Sequence, residues 1–274
     1  MRQVKTTFVL LLFAGSLFTA CKKDSQKTTQ PDEISQDVRN KIDALGLDGS
    51  WVSKTDKGYL VEGDIFISES QLNESVSSSP VLRIANSEQY RTFNLVTRLP
   101  RVITVSVTNL PTVYSNATND AIARYNNLGL QITFQRVQSG GNIDIIGFNQ
   151  GPSGGYITLG SSGFPTSSGN PYNQIMMNTN AQAYGTNPDQ SYVASVIQHE
   201  IGHCIGFRHT DYMNRAYSCG GRRSNEGQAK SGIGAVLIPG TPSGPDANSW
   251  MLACSNGGNR TFNANDVIAL NYLY

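Results

Sequence analysis

Residues 199 to 209 read His-Glu-Ile-Gly-His-Cys-Ile-Gly-Phe-Arg-His, and they contain all three histidines of the 274-residue chain. Residues four apart lie on one face of an α-helix, so His199 and His203 are expected to point in the same direction. Gly206 predicts the end of that helix, because glycine enters left-handed backbone conformations without steric cost. The chain can then turn and bring His209 back towards the other two histidines.

Three converging imidazole nitrogens are a typical ligand set for zinc, and they leave a fourth position open for water. Glu200 lies about 100° round the helix from His199, which places its carboxylate beside such a water rather than on the metal. Cys204 is an alternative ligand, but its neighbour His203 already points at the metal, so a buried free thiol is preferred. The alternative is a helix that carries surface histidines by chance, and the spacing of the residues argues against it.

The motif resembles that of the metzincin zinc endopeptidases, His-Glu-x-x-His-x-x-Gly-x-x-His followed by a methionine turn. Ser249-Trp250-Met251 would supply this turn, and the resemblance implies that Met251 packs beneath the zinc-binding histidines. The chain also resembles the bacterial dual-action HEIGH metallopeptidase family. The resemblance lies in the sequence His-Glu-Ile-Gly-His, in Cys204 and in residues 238–246. The similarity covers roughly residues 60 to 274.

The resemblance implies an α+β, metzincin-like zincin fold. Such a fold has a twisted mixed sheet with two long helices, a zinc cleft and an irregular C-terminal subdomain that ends in a helix. Apolar periodicity predicts the helices at 116–128 and from Pro188 into the zinc motif, and strands at 102–107, 130–137, 142–148 and 175–178. The resemblance also implies an edge strand above the cleft, to which a peptide substrate would add as a further strand. Its residues are Tyr156, Ile157, Thr158 and Leu159.

Residues 1–21 are predicted to be an export signal. A basic start precedes the apolar run 8–20, which is too short to span a bilayer. The run ends in Phe-Thr-Ala-Cys at residues 18–21, which resembles a bacterial lipobox with phenylalanine where leucine is commoner. A lipid on Cys21 would anchor an exported lipoprotein at the outer membrane or cell surface. An ordinary secretory signal is the alternative.

Residues 22–98 are predicted to be a tether and prodomain, followed by a catalytic domain at 99–274. Helical spacing predicts a helix over 31–45, and alternation predicts one strand over 59–67. A secreted protease usually needs a block, and we expect this segment to provide it until it is cut near Arg91, Arg98 or Arg101.

Asp64 is the expected latch of this block. The prosegment has no histidine, and the only cysteine near it is Cys21, which the signal claims, so a carboxylate is the remaining good zinc ligand. Val61-Glu62-Gly63-Asp64 resembles the Phe-x-Gly-Asp aspartate switch of astacin-type proenzymes, with valine in place of phenylalanine. The alternative is a polar residue on the outer face of a strand.

Cys219 and Cys254 stand at the ends of one long loop, and we predict a disulfide between them with Cys204 left as a free thiol. A net charge of +1 with 15% charged residues argues against a nucleic-acid partner, and a monomer is expected.

These features predict a zinc endopeptidase in which Glu200 acts as general base on a metal-bound water. Two alternatives stay open: a zinc-binding surface protein without catalysis, and a zinc amidase acting on a non-protein amide. Some relatives carry a tyrosine two residues after the turn methionine to steady the oxyanion. Ala253 stands there, so that device is missing.

Overall fold

The computed structural model describes residues 34–73, 89–221, 223, 225–227, 231–242 and 244–274. The predicted signal at 1–21 with Cys21, and the tether at 22–30, lie outside the described residues. None of the described helices is long and apolar enough to cross a bilayer.

The helices and strands follow one another in a mixed order. The helices are α1 (Gln36–Ala44), α2 (Glu69–Leu72), α3 (Thr112–Asn126), α4 (Ala181–Tyr184), α5 (Gln190–Ile205), α6 (Ala216–Cys219) and α7 (Ala264–Leu273). The strands are β1 (Val52–Thr55), β2 (Gly58–Val61), β3 (Ile65–Ser68), β4 (Tyr90–Arg91), β5 (Arg101–Thr108), β6 (Ile132–Arg136), β7 (Ile143–Phe148), β8 (Gly160–Ser162), β9 (Gln174–Asn178), β10 (Phe207–Arg208) and β11 (Val236–Leu237).

A mixed sheet forms the framework, with the strand order β1-β2-β3-β8-β9-β7-β5-β6. Strand β5 pairs in parallel with β6 and β7, and β7 pairs in parallel with β9, whereas β8 runs antiparallel to β9. Helices α3 and α5 pack against each other, and their apolar faces share one core with these strands. The predicted α+β fold with a mixed sheet and two long helices is confirmed.

Helix α5 begins and ends where the sequence predicts. Asp189 is the N-cap, and its Oδ1 accepts a hydrogen bond from the backbone N of Tyr192 at 2.8 Å. Gly206 ends the helix with φ 112°, a left-handed conformation that favours glycine. Between these ends, Val193, Ile197 and other apolar side chains are buried, so the helix carries the zinc motif through the core.

The segment predicted as one strand over 59–67 is a hairpin, which we call the N-terminal hairpin (residues 58–68). Strands β2 and β3 pair antiparallel with Val61 opposite Ile65, which leaves Glu62, Gly63 and Asp64 as the turn. Glu62 and Gly63 both have positive φ, 57° and 94°. The single-strand prediction is wrong because the apolar alternation has the same phase on both sides of this three-residue turn.

The expected edge strand over residues 156–159 is also misplaced. The turn at Gly154 and Gly155, both with positive φ, is closed by two backbone hydrogen bonds between Ser153 and Tyr156. Ladder pairing begins only at β8, and the carbonyls of Thr158 and Leu159 are bonded instead by Asn178, through its side-chain amide and its backbone N. The prediction failed because glycines on both sides of an apolar run indicate a turn as readily as a strand.

The outer edge of β8 is not free in this structure. Strand β3 pairs with it in parallel, and the backbone N of Ser162 donates a hydrogen bond to the carbonyl of Asp64 at 2.9 Å. The N-terminal hairpin therefore extends the sheet at the strand that borders the zinc motif.

A second sheet holds the segment that follows residue 88. Strand β4 lies between β10 and β11 and pairs antiparallel with both. Tyr90 in β4 is fully buried, with its ring centroid 4.3 Å from that of Tyr212. Residues 89–92 are thus built into the part of the fold that carries the histidines.

Cys219 and Cys254 form a disulfide, and Cys204 is a buried free thiol. The bridge closes a loop with a sequence separation of 35 residues. Replacing both cysteines by serine is expected to lower the free energy of unfolding by about 3 to 4 kcal/mol, since the open chain gains loop entropy when it unfolds. Urea unfolding of the variant beside the oxidised and reduced parent measures this. Equal midpoints for parent and variant would contradict it.

Candidate metal centre

The three histidines of the motif meet at one point. His199 Nε2 lies 3.1 Å from His203 Nε2, which lies 3.2 Å from His209 Nε2. Tetrahedral zinc with nitrogen ligands at about 2.0–2.1 Å requires ligand atoms about 3.3 Å apart. The spacing and chemistry of these three nitrogens therefore fit a zinc ion.

Each histidine is oriented by a hydrogen bond at its other nitrogen. His199 Nδ1 lies 2.9 Å from the carbonyl of Trp250, and His203 Nδ1 lies 2.8 Å from the carbonyl of Phe207. His209 Nδ1 lies 2.7 Å from Glu226 Oε1. A proton on each Nδ1 satisfies these acceptors and leaves the Nε2 lone pairs free for a metal.

The carboxylate of Asp64 completes the set. Its Oδ2 lies 3.0 Å from His209 Nε2 and 3.6 Å from His199 Nε2, and ligand atoms of Asp64, His199, His203 and His209 all lie within 4.8 Å of one another. The side chain is almost completely buried. Asp64 thus lies where it could be a fourth ligand of a metal ion held by the three histidines.

The electrostatics of the cluster favour a positive charge at the meeting point. Burial and the other two imidazoles lower the pKa of His203 well below its usual value. Burial would also lower the pKa of His209, but the carboxylates of Asp64 and Glu226 outweigh it and raise that pKa well above the usual value. In turn, His209 holds the pKa of Asp64 well below its usual range despite burial. A metal cation at this point would supply the same positive charge as a proton on His209.

Glu200 lies beside the cluster and does not join it. Its side chain is buried, and its Oε2 accepts a hydrogen bond from Ser162 Oγ at 2.7 Å. Burial and the charge of Asp64 raise the pKa of Glu200 well above the usual value, against the effect of Ser162. Gly160 makes room for this carboxylate, because a Cβ there would lie 2.9 Å from Glu200 Oε1.

Met251 lies against the zinc helix, as expected for the turn. It is fully buried, and a Cβ built on Gly202 would lie only 2.7 Å from its sulfur. Its carbonyl accepts a hydrogen bond from the backbone N of Thr210, next to His209. Gly202 is therefore required by close packing of the helix on Trp250 and Met251.

Glu226 is a part of the site that the sequence analysis missed. It is fully buried, it bonds His209, and its Oε1 also accepts a hydrogen bond from Arg215 Nη1 at 3.0 Å. Burial raises its pKa, but His209, Arg215 and Arg208 lower it to about 2, so Glu226 is ionised. No signal in the sequence distinguishes this residue, because it stands in an irregular loop rich in glycine and serine.

Replacing Glu226 by glutamine is expected to weaken zinc binding by about 10- to 100-fold, since the histidine it orients loses a charged acceptor. Competition with a chromophoric chelator measures the affinity on the full chain. The matched control is the same type of change at the exposed Asp56, which should leave the affinity unchanged. Equal zinc affinity in both variants would remove Glu226 from the site.

A cavity of about 600 Å³ opens beside the cluster. Its wall combines His199 of the metal site and Glu200 with residues 156–159, which line it although they are not a strand. Trp51, Gly63 and Asp64 of the N-terminal region also line it, and the Trp51 and Tyr156 rings are in contact, with centroids 5.0 Å apart.

Comparison with known proteins gives the family. Myroilysin is 19% identical over 68% of this chain and 98% of its own, with a TM-score of 0.44. High choriolytic enzyme 1, a hatching enzyme zinc-protease from Oryzias latipes (medaka fish), is 14% identical over 63% of this chain and 88% of its own, with a TM-score of 0.33. No curated protein matches the chain. The family model described as dual-action HEIGH metallo-peptidase matches residues 59–274. The chain therefore belongs to the dual-action HEIGH metallo-peptidases and is a zinc metallopeptidase.

Proposed function

We propose that the protein is a zinc endopeptidase made as an inactive precursor. His199, His203 and His209 hold the zinc ion through Nε2, and Glu200 is the general base. The observation that carries the proposal is the convergence of three Nε2 atoms beside a buried carboxylate at the wall of a cavity. Zinc analysis together with digestion of an unbiased peptide library tests it. A zinc-loaded, activated protein that cuts no peptide would contradict it.

The chain's own residues provide the proton transfers. When bound, zinc polarises a carbonyl oxygen and lowers the pKa of water to about 7. Glu200 takes a proton from the attacking water and passes it to the leaving amine, a role that suits a carboxylate with a raised pKa. Ser162 Oγ lies 2.7 Å from the carboxylate and 3.0 Å from the carbonyl of Glu200, and its single O–H, donated to the carboxylate, holds the base in position.

An extended peptide is the substrate that suits this cavity. The edge of β8 adjoins Glu200 and offers backbone donors and acceptors that need no particular side chain. In the full chain the N-terminal hairpin occupies this edge, where Ser162 N donates to the Asp64 carbonyl, and the side chain of nearby Thr158 donates through Oγ1 to the Gly63 carbonyl at 2.8 Å. The hairpin therefore occupies the position that we assign to substrate.

Asp64 is the latch of the precursor in this proposal. Its carboxylate lies 3.0 Å from His209 Nε2, within reach of the same metal ion, and it is aimed there by the tight turn at Glu62 and Gly63. A fourth protein ligand closes the position that the reaction needs. Removing the hairpin would reopen the site and free the edge of β8 together.

We place the end of the prosegment before Gln89, earlier than residue 98. Gln89 is fully buried and its Nε2 donates to Asp266 Oδ1 at 2.6 Å, while β4 fills the centre of the second sheet. A cut near Arg91, Arg98 or Arg101 would remove this strand from the catalytic part. Proteases cut exposed loops rather than the central strand of a sheet.

We propose export of the protein from its sequence alone. The signal at 1–21 would leave Cys21 as a lipid-bearing N-terminus at the outer membrane or cell surface, with secretion as the alternative. The protein would act there as a monomer on peptides or proteins. Mass spectrometry of the mature N-terminus distinguishes a lipid-modified cysteine from an unmodified new terminus.

A further inference from the structure

Arg215 is a cation on the wall of the active-site cavity, and beyond its bond to Glu226 the proton transfers proposed above do not use it. It lines the same cavity as His199 and Glu200, and only 4% of it is exposed. Its Nη1 donates to Glu226 Oε1 at 3.0 Å, so it lies two contacts away from His209.

The N-terminal region covers this arginine. The ring of Trp51 lies 4.3 Å from the guanidinium carbon, and a Cβ on Gly63 would lie 3.6 Å from its Nη2. Asp64 is the next residue after Gly63, and it carries a carboxylate. If the prosegment leaves, Arg215 loses both the aromatic cover of Trp51 and the acidic neighbour Asp64.

The catalytic part alone brings two carboxylates near Arg215, those of Glu226 and Asp211, and Asp211 already accepts hydrogen bonds from Ser218 and Ala253. Arg208 Nη2 lies 3.6 Å from Glu226 Oε2, so two guanidinium groups share one carboxylate that also serves His209. Arg208 Nη1 donates to the carbonyl of Ile233, which stays in the catalytic part, and to that of Gly46, which leaves with the prosegment. Among the described residues, Nε of Arg215 and both Nε and Nη2 of Arg208 have no hydrogen-bond partner. A buried guanidinium N–H group without an acceptor is costly, and both arginines carry at least one.

We propose that Arg215 binds a carboxylate group of the peptide substrate, close to the bond that is cut, once the prosegment has left. The inference rests on the proposed peptidase function and on the proposed release. The group is the side chain of aspartate or glutamate, or the C-terminal carboxylate of a short peptide. Arginine recognises either with two parallel hydrogen bonds.

The hairpin itself indicates where this carboxylate would lie. Residue 63 is the position whose side chain would start beside Arg215 Nη2, and residue 64 is the one that reaches the histidines. A substrate that follows the hairpin's path would present its carboxylate one or two residues from the reacting carbonyl. In the precursor glycine at position 63 puts no side chain there, and the Trp51 ring lies against this place instead.

Internally quenched peptides test the proposal on full-length, zinc-loaded protein activated by limited proteolysis. One peptide sequence is made with Glu, Gln or Lys at each of the two positions on either side of the bond, all with amidated C-termini. A second set keeps Gln and has a free C-terminal carboxylate two residues beyond the bond. The parent is expected to cut either the Glu peptides or the free-carboxylate peptides at least about tenfold better than their neutral partners in kcat/KM.

Arg215→Gln is expected to bring that ratio close to one, and Arg215→Lys to keep part of it. Each ratio is measured within one protein, so a general loss of activity does not affect it. A parent that cuts Glu, Gln and free-carboxylate peptides at equal rates overturns the inference, even if Arg215→Gln does not fold. A parent that cuts none of them contradicts the peptidase proposal instead.

Discussion

Replacing Glu200 by alanine is expected to lower kcat for peptide cleavage by about 10²- to 10⁴-fold while the protein keeps its zinc. The carboxylate lies beside the three histidines and is bonded to Ser162, so its removal takes away the proton acceptor and leaves the metal ligands in place. Metal analysis and a peptide cleavage assay on the activated protein measure both quantities.

Glu200→Gln is the matched control for shape, because the amide keeps the volume and the hydrogen bond from Ser162 but cannot take a proton. It should be as inactive as the alanine variant. Full turnover in either variant would remove Glu200 from the mechanism. Loss of zinc from both would instead make Glu200 a ligand.

The second large effect is expected from Asp64→Ala in the uncut protein. Without its carboxylate the hairpin loses the contact with His209, and the position at the histidines opens to water. We expect peptide cleavage by the uncut chain to rise by roughly 10- to 100-fold, the range that a charged hydrogen bond supports. The assay is run with intact mass confirmed before and after.

Asp56→Ala is the matched control, because Asp56 lies on the same N-terminal segment and is exposed. This variant should not raise peptide cleavage by the uncut protein. The rise for Asp64→Ala need not be complete, since β3 still covers β8 and Glu62 still lies 3.9 Å from Arg208. If the uncut Asp64 variant is as inactive as the Asp56 variant and becomes active only after cutting, Asp64 is not the latch.

The sequence predicts the ligand-bearing helix well because its determinants are local. The spacing of His199 and His203, the cap at Asp189 and the stop at Gly206 all act within one element. The family resemblance then supplied the long-range partner Met251, which no local rule could have found. Fold class followed from the same two sources.

The residues that support the site could not be predicted in the same way. Glu226 and Ser162 act on His209 and Glu200 from a loop and from a short strand, and nothing in their neighbourhoods sets them apart. The turn at Glu62 was hidden because a three-residue turn preserves the alternation of a strand. Local patterns report which face is buried, whereas the partner across the site depends on how distant segments meet.

The pairing of β3 with β8 has a consequence for the proteins that this enzyme would cut. If the hairpin is removed as proposed, the vacated edge would accept a chain only where that chain can lie extended for several residues. In helices and paired strands of a folded target, the backbone N–H and C=O groups are already hydrogen-bonded to each other. Such segments therefore cannot pair with the edge of β8. The protease would therefore select by conformation before it selects by sequence, attacking tails, loops and unfolded chains and sparing compact domains.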